Sequence, residues 1–387
     1  MQQFFMEIVW AIVRFLMNPI VYVAMIVAVV VASSRVKRER YQFNRRLLPG
    51  SSEVTSMLRD GLLLGVIISV LSFAIGMTVP LQWVLLLTVC MLLGLLTFTY
   101  TLGSPIYAFV AAFAALWLVT RQEWSLTLLS YTFEGVNVWG GTVVCVTLFA
   151  AMFLIAEGML IRRHAARLAS PVLTTTKRGL SAIEYKSKQF WLLPMFFIIP
   201  GDAVSALFPY WPQFSLGHTQ FSFLLFPMII GFQHVTRETL PQYMYPQLGK
   251  RVIWLGEVVF AIGLATLFLP ELGIIGLAIG VMGRLLLTWQ AARSQSGQSF
   301  AVQPKQEGVV IAGVLADSPA ERMGLIVGEC IRRVNGQYVH TEEELYEALQ
   351  INAAYCKLEV LDHHNEVRLT QHAVFAEDHY RIGLLLV

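Results

Sequence analysis

The sequence predicts an α-helical polytopic membrane domain of about 8–9 spans followed by a small α+β domain. Of its 387 residues 56% are hydrophobic and only 14% are charged, and the mean hydropathy is +0.62, which is typical of a membrane protein. Long apolar runs fill the chain up to residue 292. Residues 305–387 instead alternate short strand and helix signals with polar turns, as soluble domains do.

The N-terminal residues 1–34 form the first membrane segment. Apolar residues run almost unbroken from Phe4 to Ala32, and the Asn18-Pro19 pair interrupts them. A cleaved signal peptide is the alternative, but the basic block 35–40 follows at once and favours a retained anchor. Residues 35–60 are therefore predicted to be a basic cytoplasmic loop. Whether residues 1–34 cross once or as a hairpin stays open.

Residues 61–292 are predicted to be the polytopic transmembrane domain. Its apolar segments are 61–79, 81–102, 105–120, 138–160, 190–208, 221–235, 252–269 and 273–290. Several are shorter than the ~20 residues that cross a bilayer as a helix, so some are candidates for re-entrant segments. Basic residues concentrate in alternate loops, which predicts that loops 35–59 and 161–189 and the C-terminal domain are cytoplasmic.

Two ionisable residues stand in the last two apolar segments. Glu257 and Arg284 each lie about 13 residues from the turn at 270–271, which puts them at one depth. We expect them to form an ion pair that fixes this hairpin, with ion transport as the alternative. Asp202, after Pro200-Gly201, suggests a capped kink or a broken helix that faces a solute.

A short linker, residues 293–304, joins the two domains. Its Ser, Gly and Gln content predicts flexibility. Residues 305–387 hold 7 basic and 13 acidic residues, so an acidic soluble tail follows a basic membrane domain.

Local signals divide residues 305–387 into short elements. Ser318, Pro319 and Glu321 predict a capped helix that Gly324 ends, and Asn335-Gly336 predicts a two-residue hairpin turn. Thr341 to Glu344 is a second capping box, which opens a helix with Leu345 and Ala348 on one face.

These residues resemble a PDZ domain of the circularly permuted bacterial kind. The resemblance rests on Asp-Ser-Pro-Ala-x-x-x-Gly-Leu from Asp317, Gly-Glu at 328–329 and Val-Asn-Gly at 334–336. It implies that Arg381, Ile382, Gly383 and Leu384 form a carboxylate-binding loop beside Leu345 and Ala348. The alternative is that the last residues are an ordinary edge strand.

Signatures of enzymes are absent from the sequence. There is no His-Glu-x-x-His, no Gly-x-Ser-x-Gly, no phosphate loop and no dinucleotide fingerprint, and the four cysteines form no C-x-x-C pair. We therefore predict a protein that is not an enzyme, with no cofactor, no metal site and no nucleic-acid partner.

The layout of a basic block from Arg35 to Arg45, a polytopic domain and one C-terminal PDZ-like domain is similar to that of the MinJ-type division-site proteins of Bacillus-like bacteria. That resemblance implies a plasma-membrane scaffold at septum and poles, with DivIVA-like and MinD-like cytoplasmic partners. It would bridge DivIVA to the MinC/MinD division inhibitor. Association with a second copy of the chain is left open. A transporter or channel with a regulatory PDZ tail, or an adaptor to a membrane protease, is the alternative.

Overall fold

The computed structural model describes most of the chain. The described residues are 2–97, 100–122, 127–128, 131–132, 138–176, 179–200, 214–216, 219–297, 299–352, 355–373 and 382–387. Asp202 and Arg381, which were singled out from the sequence, lie outside them.

Two helices form the N-terminal segment, α1 (Gln2–Met17) and α2 (Pro19–Phe43). The break falls at Asn18, whose Oδ1 accepts a hydrogen bond from the Ile20 N–H at 3.0 Å and so caps α2. Pro19 suits the first position of a helix because its missing N–H has no partner there.

The next helices are α3 (Ser52–Arg59), α4 (Leu62–Ile75), α5 (Leu81–Leu96), α6 (Pro105–Arg121) and α7 (Val143–His164). Two later ones complete this part of the molecule, α8 (Pro241–Ala265) and α9 (Leu272–Arg293). Four helical stretches are long and apolar enough to cross a membrane, namely Pro19–Phe43, Ser52–Ile75, Val138–His164 and Leu272–Arg293. Among them Val138–His164 is the most enclosed, since neighbouring elements surround it on nearly all sides.

The segments 190–208 and 221–235, predicted above as helical spans, are wrong in type over their described residues. Strands β4 (Ser181–Pro200) and β6 (Thr219–Thr236) pair there as a long antiparallel ladder, with Pro194 directly opposite Pro227. Aromatic and β-branched residues such as those at 196–199 suit strands. The length of these apolar runs favoured helices, because most strands are much shorter.

The remaining short strands frame this ladder. They are β1 (Thr127–Leu128), β2 (Tyr131–Thr132), β3 (Ser170–Thr175) and β5 (Phe214–Leu216). The order β3-β4-β6-β5 makes one sheet, and β1 pairs with β2 apart from it.

Small residues bring α4 against the β4 backbone. A Cβ on Gly61 or Gly65 would collide with the carbonyl oxygens of Leu192 and Pro194 respectively. One turn on, the Phe196 N–H donates to Ser69 Oγ at 3.0 Å. The close approach lets a helix satisfy backbone groups of the strand, which an apolar environment requires.

Glycines also line the packing of α7, α8 and α9. Gly249, Gly256 and Gly263 recur every seventh residue of α8 and lie against the α7 backbone or side chains. Gly276 and Gly280 of α9 are also closely packed, since Cβ atoms there would lie 3.0 Å from Ile262 and Ile106 respectively. Close packing of small residues is how membrane helices gain van der Waals contact.

The C-terminal domain is a sheet with two short helices. Its strands are β7 (Val309–Val314), β8 (Cys330–Val334), β9 (Gln337–Tyr338), β10 (Tyr355–Leu361), β11 (Val367–Ala373) and β12 (Leu384–Leu386), and its helices are α10 (Pro319–Arg322) and α11 (Glu342–Gln350). The strand order is β11-β10-β8-β7-β12, with β9 paired to β8. β12 is therefore an edge strand.

The linker 293–304, predicted to be flexible, is held against the membrane domain. Gln295 is buried, and its Oε1 accepts from the N–H groups of Arg237 at 2.9 Å, Glu238 at 3.0 Å and Thr239 at 3.3 Å. The Ala301 N–H donates to the Arg237 carbonyl at 2.8 Å. The Ser, Gly and Gln content predicted flexibility, but these hydrogen bonds to backbone groups hold the linker in place.

Candidate functional site

Local sequence signals build the C-terminal domain as predicted. The Ser318 hydroxyl caps α10 by accepting from the Glu321 N–H at 3.3 Å, and Thr341 caps α11 by accepting from the Glu344 N–H at 3.2 Å. Asn335 and Gly336 both have positive φ, which the predicted hairpin turn between β8 and β9 requires.

Among the described strands, β12 pairs on one edge only. That edge pairs with β7, where Val387 and Val310 exchange hydrogen bonds of 3.0 and 3.1 Å and the Leu315 N–H donates to the Gly383 carbonyl at 2.9 Å. Backbone groups alternate in direction along an antiparallel strand, so the N–H groups of Leu384 and Leu386 face away from β7. An unpaired strand edge is the feature to which an extended peptide adds in β-strand addition.

The predicted binding side chains belong to the core of the domain. Ile382, Leu384, Leu345 and Ala348 are all buried in one hydrophobic cluster. The structure therefore brings these four residues together, while Arg381 lies outside the described residues. Because the side chains are committed to the core, the group that β12 offers to a ligand is its backbone.

Gly383 has a structural role that the sequence did not reveal. Its φ is +84°, and a Cβ there would collide with Ser318, whose Oγ would lie 2.7 Å away. Ser318 caps α10, so a side chain at 383 would disturb that helix as well as the neighbouring edge.

The face of the sheet opposite this core packs on the membrane domain. Val310, Ala312, Cys330, Leu361 and Leu385 form a cluster with residues from outside the domain, namely Ile183, Tyr185, Leu240 and Val302. We call these two sets the docking face. The Tyr185 hydroxyl donates to the Ala312 carbonyl at 2.7 Å, and burial raises the pKa of this phenol, so it remains a donor. The C-terminal domain therefore packs against the first residues of β4.

A buried ionic network stabilises the loop that lies beside the docking face. The Arg35 guanidinium pairs with Glu39 at 3.0 Å and with Glu53, whose Oε2 lies 3.1 Å from Nη2. Glu39 also accepts from the Leu47 N–H at 2.9 Å and from the Ser170 hydroxyl at 2.7 Å. The basic block was predicted as a topology signal, yet its Arg35 and Glu39 organise the loop beside the C-terminal domain.

The predicted Glu257–Arg284 pair is wrong. Arg284 instead lies 2.7 Å from Glu157 Oε1 on α7, and the two are 3% and 0% exposed. Ser104 at the start of α6 donates to the other Glu157 oxygen. Glu257 points to the surface. The equal depth of Glu257 and Arg284 in one hairpin suggested the wrong acid. The signal that could have identified the partner is that Glu157 is the lone carboxylate within the fourth apolar segment, where ionisable residues are rare.

The Glu157–Arg284 pair has no net charge and is hydrogen-bonded, which favours a structural role over ion transport. Arg284 Nε donates to Glu157 at 2.8 Å and Nη1 donates to Thr288 at 2.5 Å. Three helices are tied together where a single charge would be costly.

The described residues hold no group of three or more His, Cys, Asp or Glu side chains that could bind a metal. The thiols of Cys330 and Cys356 are buried, and burial raises the pKa of Cys356 to about 12. Cys356 is therefore a packing residue and a poor nucleophile.

Comparisons with known proteins show what the chain resembles. The sequence model of the PDZ domain matches residues 310–360. The chain is 28% identical to "Cell division topological determinant MinJ" of Bacillus subtilis (strain 168), over 96% of this chain and 93% of that protein. It is 24% identical to "Probable cell division topological determinant MinJ" of Lacticaseibacillus paracasei, over 97% of this chain and 98% of that protein. The chain is MinJ-like along its whole length and carries a C-terminal PDZ domain. The resemblance predicted from sequence is confirmed.

The MinJ-like assignment agrees with the architecture. Apolar helices suited to a membrane precede the PDZ domain, and the relatives are named as determinants of cell division rather than as enzymes. The PDZ match ends before β12, so the role of the β12 edge stays a prediction.

Proposed function

We propose that this protein is a membrane-embedded scaffold that recruits cytoplasmic division proteins along the β12 edge of its PDZ domain. Its similarity to proteins named for cell division supports the role, and the N–H groups of Leu384 and Leu386, which face away from β7, supply the means. By resemblance the partners are a DivIVA-like polar or septal protein and the MinC/MinD inhibitor, which the scaffold bridges.

The backbone edge is tested by removing one N–H. Leu386→Pro should abolish capture of the partners by the full-length protein, because proline cannot donate. Proline is tolerated in an edge strand whose N–H faces outward. Because the Leu386 side chain is buried in the core, binding is compared only for protein that unfolds cooperatively. Leu386→Val is the matched control, since it keeps the N–H and a similar side-chain volume. Pull-down from detergent extract measures binding, and thermal unfolding confirms the fold.

Equal capture by the Leu386→Pro and Leu386→Val proteins would exclude the β12 edge as the binding site. Tagging with a fluorescent protein in dividing cells tests the division role itself. Enrichment at septum and poles agrees with the scaffold, whereas uniform membrane staining favours a transporter, a channel or a protease adaptor.

The proposed orientation is multi-pass, with the PDZ domain in the cytoplasm. Loop residue Leu47 lies 3.2 Å from where a Gly313 Cβ would be, and β4 begins at the docking face, so the basic loops and the PDZ domain share one end of the molecule. Basic loops stay cytoplasmic.

Cysteine labelling of intact cells tests this orientation. In a chain without native cysteines, Ser181→Cys should not react with an impermeant maleimide, whereas Glu271→Cys in the opposite turn should react. Both positions are exposed, so access differs only by side. External labelling at 181 would reverse the topology.

A further inference from the structure

A basic cavity lies outside the PDZ domain, where α3, α4 and the end of α7 meet. It has a volume of about 370 Å³. Three arginines line it, Arg59, Arg163 and Arg167, together with His164 and Asp60. The proposed scaffold function makes no use of this cavity.

The cavity carries a surplus of positive charge. Its one carboxylate, Asp60, already accepts from the Ser56 hydroxyl at 2.6 Å and lies 3.0 Å from His164 Nδ1. Within the described part of the chain, neither Arg59 nor Arg163 pairs with a carboxylate. Two guanidinium groups thus remain for a ligand, and phosphate oxygens suit their fork of N–H donors.

The rest of the cavity lining is apolar and continues into an apolar surface. It includes Leu63, Leu64 and Met159. Leu63 is 66% exposed, and the exposed residues Val66 and Val70 extend its stripe along α4. An anion-binding end joined to an apolar track matches a lipid, whose headgroup carries the charge and whose acyl chain lies along the helix. A free phosphate ion would use only the arginines.

We propose that this cavity binds the phosphodiester of an anionic phospholipid, with an acyl chain along Leu63 and α4. The cavity lies beside the basic loops that are proposed to be cytoplasmic. Basic pockets between helices on that side attract anionic headgroups. The bound lipid would tie α3 and α4 to α7 at the level of the membrane surface.

The test uses full-length protein that has been delipidated in mild detergent. Phosphatidylglycerol, phosphatidylcholine and inorganic phosphate are titrated separately, and the unfolding temperature and the lipid retained in native mass spectrometry are measured. Phosphatidylglycerol should stabilise the protein more than the other two do. Arg59→Gln with Arg163→Gln should weaken its retention about 30-fold, the ~2 kcal/mol expected of two arginines near an anionic headgroup.

The control double variant, Arg162→Gln with Lys250→Gln, removes the same charge from the same end of the molecule but spares the cavity lining. It should retain the lipid. Equal weakening by both double variants would overturn the site in favour of diffuse surface charge.

Leu63→Gln keeps every arginine and changes only an exposed side chain, so it should fold. It should reduce the response to phosphatidylglycerol. Unchanged lipid retention in this variant, or equal stabilisation of the wild-type protein by inorganic phosphate, would overturn the lipid as the ligand.

Discussion

At the residue scale, burial decides which charges act. Glu257 is exposed, while Glu157 is enclosed by three helices and neutralises Arg284. Removing one partner of a buried pair leaves the other charge without compensation, which is costlier than losing the pair as a whole.

Glu157→Leu should therefore destabilise the protein by about 3–5 kcal/mol, because Arg284 is left unpaired. Combining it with Arg284→Leu should recover most of that loss. Glu257→Leu is the matched control and should change the free energy of unfolding by less than about 0.5 kcal/mol. Unfolding in detergent micelles measures all three proteins. A loss for Glu257→Leu as large as for Glu157→Leu would contradict the pairing.

At the element scale, glycine decides how closely α4 approaches β4. Gly61 and Gly65 leave room for the carbonyl oxygens of Leu192 and Pro194. The ladder of β4 with β6 was not predicted, because an apolar run of this length is more typical of a helix than of a strand. The neighbouring glycine face is what makes the strand possible at this place.

Gly65→Ala is expected to destabilise the protein by about 1–3 kcal/mol, since its methyl group overlaps the Pro194 carbonyl. Gly94→Ala in α5 is the control. A Cβ there has nothing within 4 Å, so better helix propensity should leave stability unchanged or slightly higher. Thermal unfolding of both variants compares them. If Gly65→Ala matched Gly94→Ala, the close contact of α4 with β4 would be refuted.

At the scale of the whole molecule, the PDZ domain packs against the membrane domain and is not attached by a flexible linker alone. The docking face covers one side of its sheet, and Gln295 holds the linker to the end of β6. The PDZ domain and the membrane domain are therefore joined by packing and hydrogen bonds as well as by the chain.

Gln295→Ala should release the linker, because three backbone N–H groups lose their common acceptor. Limited proteolysis should then cleave residues 293–304 faster than in the wild-type protein. Gln290→Ala, at an exposed position of α9 shortly before the linker, serves as the control and should leave the cleavage rate unchanged. Identical cleavage of the two variants would mean that Gln295 does not hold the linker.

The sequence by itself determined the features that depend on neighbouring residues. Hydropathy predicted the membrane domain, and cap and turn residues such as Ser318 and Asn335 predicted the PDZ elements, because those signals act within a few positions of the chain. Only the tertiary structure decided that Arg284 meets Glu157, that β4 pairs with β6, that Gln295 fastens the linker and that Gly383 lies on Ser318. These contacts join residues far apart in sequence, and their free energy comes from burial, which no local pattern records.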